Sequence, residues 1–291
     1  FSDVNDVYFL AQIIKEKSEI STYVYSWDHA AKYHKFSRKN IKYLVWHQEI
    51  KNDLLYQHNV DSNNIKIAGS TQLSLLYNYS NLDIKPDNPF KAIKYIYFGA
   101  SAGYKAVAEQ EIEYVVFIAN QMLDSLPDVK MVFRPYPLLT DWSLYEKLHA
   151  QPNVLFDNYA GHNDKVYFTK DDINVKFQKM RDALAIFHCG STFGLEACYF
   201  DTPVFYVRFN EFKFTKLVKK EDDIRNFIYQ YHLSKYLDLD GYDNVIVDSK
   251  DLDMVLLNMD TSKQDLLKYN HVISSHTIPV SIREIAQVMV K

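Results

Sequence analysis

The sequence predicts two doubly wound α/β domains, and three observations support this prediction. Strand-like apolar runs alternate with helical patterns along most of the chain, as in parallel sheets whose strands are joined by helical crossovers. The alternation restarts after residues 81–92, which hold Pro86, Pro89 and little hydrophobic periodicity. A chain of 291 residues, 47% of them hydrophobic, is also larger than one compact domain usually is.

The first part of the chain, residues 1–80, is expected to be an incomplete domain. Residues 7–17 and 51–59 have helical apolar spacing. The predicted strands, rich in β-branched and aromatic residues, are residues 21–27, 41–46 and 65–69. Because the sequence starts with Phe1 in a pattern typical of a strand-end loop, we expect that part of this domain lies upstream.

Residues 81–92 are the predicted linker, and a second domain is predicted over residues 93–265. Its strands are short apolar runs of the kind that parallel sheets bury on both faces. They are residues 94–101, 130–137, 153–157, 184–189, 203–207 and 244–247. The predicted helices are residues 105–126, 172–183, 192–200 and 249–259, and a terminal helix is predicted at residues 280–291.

Polar, charged and glycine residues directly follow many of these strands. Ligands of doubly wound sheets bind outside the carboxyl ends of the strands, so we expect these residues to converge. They are Trp27, Asp28, His29, His47, Gly69 and Ser70, Gly99 to Gly103, Arg134 to Pro137, and His188 to Thr192.

The turn after strand 184–189 carries Gly190, Ser191 and Thr192, with Glu196 one helical turn later. Glycine allows a close approach to the backbone, and hydroxyls at a helix start can donate to an anion. A carboxylate four residues after Thr192 suits the two hydroxyls of a ribose. Two alternatives remain open: Ser191 caps its own helix, and Glu196 is a surface acid.

Arg134 ends a strand within the sequence Arg-Pro-Tyr-Pro. A planar guanidinium suits a two-pronged contact with phosphate, and the two prolines would fix its loop. The alternative is an exposed arginine in a stiff turn.

The stretch from Gly99 to Gly103 matches the G-x-S-x-G pattern of serine hydrolases, with Ser101 as the nucleophile. His232, His271 and His276 are available as bases. The helix starts later than in a nucleophile elbow, so we favour a glycine-rich turn in which Ser101 and Gly103 let a phosphate or sugar approach.

Asp28, His29 and His47 follow strands of the first domain and are candidates for a general base. The alternative is a structural role for each of them.

Composition argues against several function classes. A net charge of −4 gives no electrostatic footprint for nucleic acid. No apolar run approaches the roughly 18 residues that a membrane-spanning helix needs. Cys189 and Cys198 lie beside apolar residues, which favours reduced thiols and a cytoplasmic location. Nothing has metal-ligand spacing, so we expect neither a metal nor another cofactor.

Several segments resemble glycosyltransferase-B enzymes of surface-polysaccharide gene clusters, including those for capsule and lipopolysaccharide. The resemblance lies in residues 23–76, in "FRPYP", in "CGSTFGLEACYFDTPVFYV" and in "YDNVIVDSKDLDMVL". "FRPYP" is also similar to a turn of the glycerophosphotransferases that build teichoic acids. In that family the second residue after the arginine is commonly a histidine, where this chain has Tyr136.

The resemblance implies two Rossmann-like domains, with residues 1–80 as the second half of the first. It implies phosphate contacts at Arg134, Ser191 and Thr192 and a ribose contact at Glu196, with the acceptor and base region near Asp28. Trp27, His29 and His47 would lie on this acceptor side. The helices of residues 266–291 are expected to cross back to the first domain.

The expected function is transfer of a sugar from a nucleotide-sugar to a glycan or lipid-linked acceptor. The open alternatives are a CDP-polyol phosphotransferase of the same fold, a hydrolase that uses Ser101, and a non-catalytic subunit that binds nucleotide or glycan. Peripheral association with the inner face of the cytoplasmic membrane also remains open.

Overall fold

The structure, a computed structural model, describes residues 20–24, 41–101, 105–137, 142–157, 168–209, 237, 239, 241–259 and 263–290. The chain divides into two units: Phe1–Ser74 with His276–Lys291, and Leu75–Ser275. Each unit contains a parallel sheet, so the predicted α/β class is confirmed.

The first unit contains a three-stranded parallel sheet in the order β1-β2-β3. The strands are β1 (Ile20–Tyr23), β2 (Ile41–Val45) and β3 (Ile65–Ile67). Helix α1 (Gln48–Tyr56) follows β2, and α2 (Ser74–Ser80) begins where this unit ends. Helix α1 starts three residues before the predicted helix because the His47 side chain accepts a hydrogen bond from the Glu49 amide and caps it.

The C-terminal segment of the chain packs on this first unit. The Ser70 amide donates to the Ile278 carbonyl over 2.8 Å, and the Val280 amide donates to the Ser70 carbonyl over 2.9 Å. Helix α9 (Ile282–Val290) follows. Gly69 has a φ of +90°, and its carbonyl accepts a hydrogen bond from the Tyr23 hydroxyl.

The second unit contains a six-stranded, all-parallel sheet in the order β6-β5-β4-β7-β8-β9. The strands are β4 (Lys94–Gly99), β5 (Val129–Arg134), β6 (Val154–Phe156), β7 (Ala185–His188), β8 (Val204–Val207) and β9 (Val245–Ile246). Counted within the unit, this is the 3-2-1-4-5-6 order of the Rossmann fold. Its topological switch point lies between β4 and β7, and ligands of such sheets bind there.

Among the described residues, four α-helices lie between strands β4 and β8, and two more follow β9. They are α3 (Lys105–Ser125), α4 (Glu146–His149), α5 (Lys170–Asp182), α6 (Thr192–Ala197), α7 (Ser249–Asn258) and α8 (Lys263–Ser275). Helix α5 starts with a capping box between Thr169 and Asp172. Helix α6 is shorter than predicted because Tyr199 and Phe200 donate to carbonyls three residues earlier, which tightens the chain into 3₁₀-type turns.

The core of the second unit lies on both faces of its sheet. Strands β7 and β8 are buried at every residue, as in parallel sheets covered by helices on both sides. Aromatic rings of neighbouring strands contact each other within the sheet, for example Phe98 with Phe133 and Phe187 with Phe205. This packing gives a rigid base to the turns at the carboxyl edge.

We predict that Gly69→Ala loosens the C-terminal segment. A β-carbon at position 69 would lie 2.4 Å from the Ile278 carbonyl oxygen and 2.8 Å from a Val280 methyl carbon, so backbone must move. Hydrogen exchange at the Ser70 and Val280 amides should become about tenfold faster or more, equivalent to at least roughly 1.4 kcal/mol. Exchange monitored by NMR measures this directly.

Gly241→Ala is the matched control because Gly241 has a similar φ of +84° but nothing within 4 Å of the added carbon. The Gly241→Ala variant should lose only the free energy needed to place alanine at a positive φ, on the order of 1 kcal/mol. Equal losses of unfolding free energy in the two variants would contradict the predicted clash.

Candidate functional site

Three neighbouring strands of the second unit end at the same level of the sheet. Gly99, at the end of β4, pairs with Arg134 of β5 on one side and with His188 of β7 on the other. The residues that follow these strands therefore lie next to one another at the switch point. This edge brings together the turns of Ser101, Arg134 and Ser191.

The turn after β7 is held by a buried histidine. His188 Nδ1 accepts hydrogen bonds from the amides of Gly190, over 3.0 Å, and of Ser191, over 3.4 Å. Burial lowers the pKa of His188 to about 3, so the ring is neutral and the proton sits on Nε2. Gly190 has a φ of +97°, which only glycine adopts readily. Sequence analysis placed His188 among the strand-end residues but missed this structural role.

The hydroxyl of Ser191 does not cap the helix that it precedes. Ser191 is the N-cap residue of α6, yet its side chain makes no capping hydrogen bond. Its Oγ is buried and has no hydrogen-bond partner in the part of the chain that the structure describes. The simple N-cap alternative therefore does not account for this residue. Thr192, the first residue of α6, is half-buried.

The start of α6 packs directly on the end of β4. The Phe193 ring lies over Gly99, where an added β-carbon would come within 2.3 Å of it. The same ring contacts Tyr97 edge to face, with centroids 5.1 Å apart. These contacts link the Ser191 turn to Tyr97, whose hydroxyl belongs to the polar network of Arg134 and Asp157.

Arg134 belongs to a buried polar network and is not exposed. Its guanidinium donates to the Asp157 carboxylate over 2.8 Å and to the Tyr97 hydroxyl over 3.3 Å. Asp157 also accepts from Tyr97 and pairs with the Lys179 ammonium. Burial acts to raise the pKa of Asp157, but the charges of Arg134 and Lys179 outweigh it and hold the pKa below its ordinary value.

Glu196 is also buried, with 5% of its surface exposed, so it is not a surface acid. Its Oε2 pairs with the Lys176 ammonium over 2.6 Å. Burial lowers the pKa of Lys176; the Glu196 carboxylate opposes this shift, and the charge of nearby Arg134 adds to it. Lys176 and Lys179 both come from α5.

Buried and half-buried charges of the described residues pair with one another at this edge. Arg134, Lys176 and Lys179 are cations, whereas Asp157 and Glu196 are the carboxylates that pair with them. Asp172 also senses the charges of Arg134 and Lys179, but it is more exposed and occupied by its capping box, so water screens its charge. Cations held in such a largely desolvated cluster suit an anionic ligand.

A second buried carboxylate, Glu111 of α3, holds the turn after β4. It accepts from the Ser101 amide over 2.9 Å and from the Ser101 hydroxyl over 2.6 Å. Burial raises the pKa of Glu111 to about 7. Sequence analysis missed this residue, although an acid in the apolar stripe shared by Val115, Ile118 and Met122 was a usable signal.

The serine hydrolase alternative finds no support in the contacts of Ser101. Its hydroxyl donates to a carboxylate, not to a histidine. His271 lies on the exposed side of α8, His276 belongs to the other unit, and His232 lies outside the described residues.

The remaining predicted site residues have mixed outcomes. The Tyr136 amide donates to the Tyr145 hydroxyl over 3.4 Å, and Tyr136 is half-buried. His47 is buried and caps α1. Trp27, Asp28, His29 and Gly103 lie outside the described residues.

Two searches of the described residues found nothing. No group of three or more His, Cys, Asp or Glu side chains there could hold a metal ion. Within the same ranges, no helix is both long and apolar enough to cross a membrane.

No protein-family model matches the chain, and no curated protein sequence matches it significantly. Solved structures do. The S. aureus MnaA–UDP complex matches with a TM-score of 0.54 and 12% identity, over 96% of this chain and 68% of that one. UDP-GlcNAc 2-epimerase of Methanocaldococcus jannaschii, in complex with UDP-GlcNAc and UDP, matches with a TM-score of 0.50 and 12% identity. The match covers 98% of this chain and 78% of that one.

UDP-GlcNAc 2-epimerase of Neisseria meningitidis, bound to UDP-GlcNAc, gives a TM-score of 0.50 and 12% identity, over 86% of this chain and 61% of that one. The chain thus spans less than two thirds of this neighbour. At such identities the likeness shows the fold alone. The fold is the predicted glycosyltransferase-B type with Rossmann-like domains.

We predict that Asp157→Asn strongly destabilises the second unit. The substitution leaves Arg134 and Lys179 buried without their anion, which typically costs about 3–5 kcal/mol. Because folding lowers the pKa of Asp157, its stabilisation is present above the ordinary pKa of 3.8 and is lost as the pH falls below it. Urea unfolding at pH 7 and at pH 3 measures both effects.

Asp87→Asn is the control, since Asp87 and its partner Lys91 are both exposed. That exposed pair should contribute less than about 1 kcal/mol. If Asp157→Asn lost no more unfolding free energy than this control, the role given to the Asp157 network would be contradicted.

Proposed function

We propose that the chain is an enzyme that uses a nucleotide-sugar, and that residues 75–275 hold the nucleoside diphosphate at the edge where β4, β5 and β7 end. The observation that carries this proposal is the Ser191 hydroxyl, which is buried at the switch point without a partner in the described ranges. A buried hydroxyl left unpaired costs free energy. A phosphate oxygen would accept its hydrogen bond.

The neighbouring groups fit the rest of such a ligand. The cations Arg134, Lys176 and Lys179 suit the diphosphate. Lys176 pairs with Oε2 of Glu196, so a ribose hydroxyl would donate to Oε1 of the same carboxylate. Thr192 would complete the phosphate contacts, and Gly190, which has no side chain, would leave room for the phosphate.

The proposed reaction is transfer of the sugar to a glycan or lipid-linked acceptor in surface-polysaccharide synthesis. The buried cations would stabilise the leaving diphosphate as negative charge develops on it, in place of a metal. Asp28 or His29 would act as the base on the acceptor hydroxyl. These two assignments rest on the sequence resemblance.

Epimerisation of the nucleotide-sugar is the second candidate. Two of the three solved structures compared above are UDP-GlcNAc 2-epimerases with UDP-GlcNAc bound. An epimerase needs only the nucleotide-sugar, whereas a transferase also needs an acceptor. The two candidates therefore differ in a simple assay.

We predict that UDP-GlcNAc incubated with the full-length protein alone keeps its sugar configuration in proton NMR spectra. Free UDP should accumulate only when an extract of lipid-linked glycan acceptors is added. CDP-glycerol, assayed in parallel, tests the alternative that the protein is a polyol phosphotransferase. Appearance of a second sugar epimer without acceptor would favour the epimerase and contradict transfer. Binding without turnover of either donor would indicate a non-catalytic subunit.

We also predict that one nucleoside diphosphate raises the melting temperature of the wild type but not of Ser191→Ala. A ligand at a hundred times its Kd adds roughly 2.7 kcal/mol, or about 5–10 °C for a unit of this size. Without ligand, Ser191→Ala should be at least as stable as the wild type, because it removes a buried unpaired hydroxyl. Scanning fluorimetry with UDP, CDP, GDP and dTDP measures both.

Ser275→Ala is the control, since its exposed hydroxyl donates to a carbonyl of its own helix. This variant should keep the full nucleotide shift. An equal shift in Ser191→Ala and the wild type would remove Ser191 from the site. Absence of any shift in the wild type would contradict nucleotide binding itself.

A further inference from the structure

We propose that His188 is a positioning residue for the proposed nucleotide site: its imidazole holds the turn after β7 so that the Ser191 hydroxyl meets a phosphate oxygen. The inference rests on the proposed function for the identity of the ligand. The hold of His188 on the turn is a property of the protein without ligand, and it can be measured separately.

Two hydrogen bonds fix the turn to the imidazole. Nδ1 of His188 accepts from the Gly190 amide over 3.0 Å and from the Ser191 amide over 3.4 Å. His188 is fully buried, and its backbone pairs with Gly99 on one side and with Tyr206 on the other. The middle of the sheet therefore sets the position of the turn.

The imidazole ring occupies a close-fitting space. A β-carbon added to Gly194 of α6 would come within 2.2 Å of the ring, and the Tyr206 ring centroid lies 5.7 Å from that of His188. Gly194 does not have a positive φ, so the contact with the ring, and not the backbone conformation, requires glycine there. Helix α6 is thus packed against the same ring that holds the turn before it.

These hydrogen bonds decide which groups of the turn can meet a ligand. In many phosphate-binding turns, backbone amides point at the anion. Here the amides of Gly190 and Ser191 donate to His188 instead. The Ser191 hydroxyl remains, because it is buried and has no partner in the described part of the chain. With its amide fixed and its backbone extended (φ −132°, ψ 167°), Ser191 redirects this hydroxyl only by rotation about χ1.

The chemistry of the ring agrees with a positioning role. Accepting from two amides requires an unprotonated Nδ1, and burial keeps the ring neutral by lowering the pKa of His188 to about 3. The proton then lies on Nε2, which is buried and has no partner among the described residues. An unpaired buried donor costs free energy, so the imidazole is better explained by its hold on the turn than by stabilisation of the core.

The test compares His188→Asn with His188→Leu. The two new side chains branch alike at Cγ, but asparagine Oδ1 lies near the position of Nδ1 and can accept from the same amides, whereas leucine has no acceptor. His271→Leu is the control, since His271 is exposed on α8 of the same unit. Hydrogen exchange by NMR is read at the amides of Gly190 and Ser191. Affinity of the full-length protein is read by calorimetry with UDP-GlcNAc and with CDP-glycerol.

We expect His188→Leu to speed exchange at both amides about tenfold or more, and to weaken binding by about as much, because two buried amides lose their acceptor. His188→Asn should recover most of both losses, and His271→Leu should behave as the wild type. Gly194→Ala keeps the acceptor but displaces the ring. It should also speed exchange and weaken binding, and it takes the place of His188→Leu if that variant does not fold.

A double-mutant cycle separates the positioning of Ser191 from a general loosening of the fold. If His188 acts through the Ser191 hydroxyl, the losses of affinity in the two single variants overlap. Adding His188→Leu to Ser191→Ala should then weaken binding further by at most about twofold. A merely structural role would give losses that multiply.

Two outcomes would overturn the inference. One is equal affinity in His188→Leu and His188→Asn, because the acceptor at Nδ1 would then not matter for binding. The other is a full additional loss of affinity when His188→Leu is added to Ser191→Ala. If the wild type binds neither ligand, the proposed function is contradicted; unchanged exchange at both amides in His188→Leu would overturn the hold of the imidazole itself.

Discussion

The shared register of Gly99 with Arg134 and His188 is the constraint on which the candidate site depends. It ends three parallel strands at one level, so that residues distant in sequence meet at one sheet edge. The buried strands support this edge, and the strand order reverses between β4 and β7, where doubly wound sheets bind their ligands. Arg134, Ser101 and the Ser191 turn owe their proximity to this register and not to any local motif.

Buried charge is the second feature that shapes this edge. Each cation has a carboxylate partner, and Asp157 serves two of them. Burying such pairs contributes little net stability, because desolvation offsets the attraction, whereas breaking one is costly. The arrangement is therefore better explained by what it does for an anionic ligand than by what it does for folding. The Ser191 hydroxyl, which has no partner among the described residues, fits the same explanation.

The fold could be predicted from the sequence because buried parallel strands are continuous apolar runs, and the positions of Arg134, Ser191 and Glu196 followed from the strand ends. The partners of these three residues could not be predicted from the sequence. Lys176 and Lys179 sit on α5, where lysines usually indicate a solvated face, and their pairing with Glu196 and Asp157 depends on tertiary packing. Glu111 could be recognised as an acid in an apolar stripe, but its pairing with Ser101, which lies in a separate turn, could not be predicted.

The fold alone does not decide between transfer and epimerisation, because one architecture supports many reactions. The proposed nucleotide site lies within residues 75–275 and is common to both candidates. What separates them is the acceptor side, for which the sequence indicates Asp28 and His29. The nucleotide site is therefore the claim to test before the reaction.

A crystal structure of the protein with a bound nucleoside diphosphate would test this claim most directly. The account predicts a phosphate oxygen about 3 Å from Ser191 Oγ, with the diphosphate beside Arg134 and the ribose at Glu196. A nucleotide bound elsewhere, with the Ser191 hydroxyl still unpaired, would contradict it.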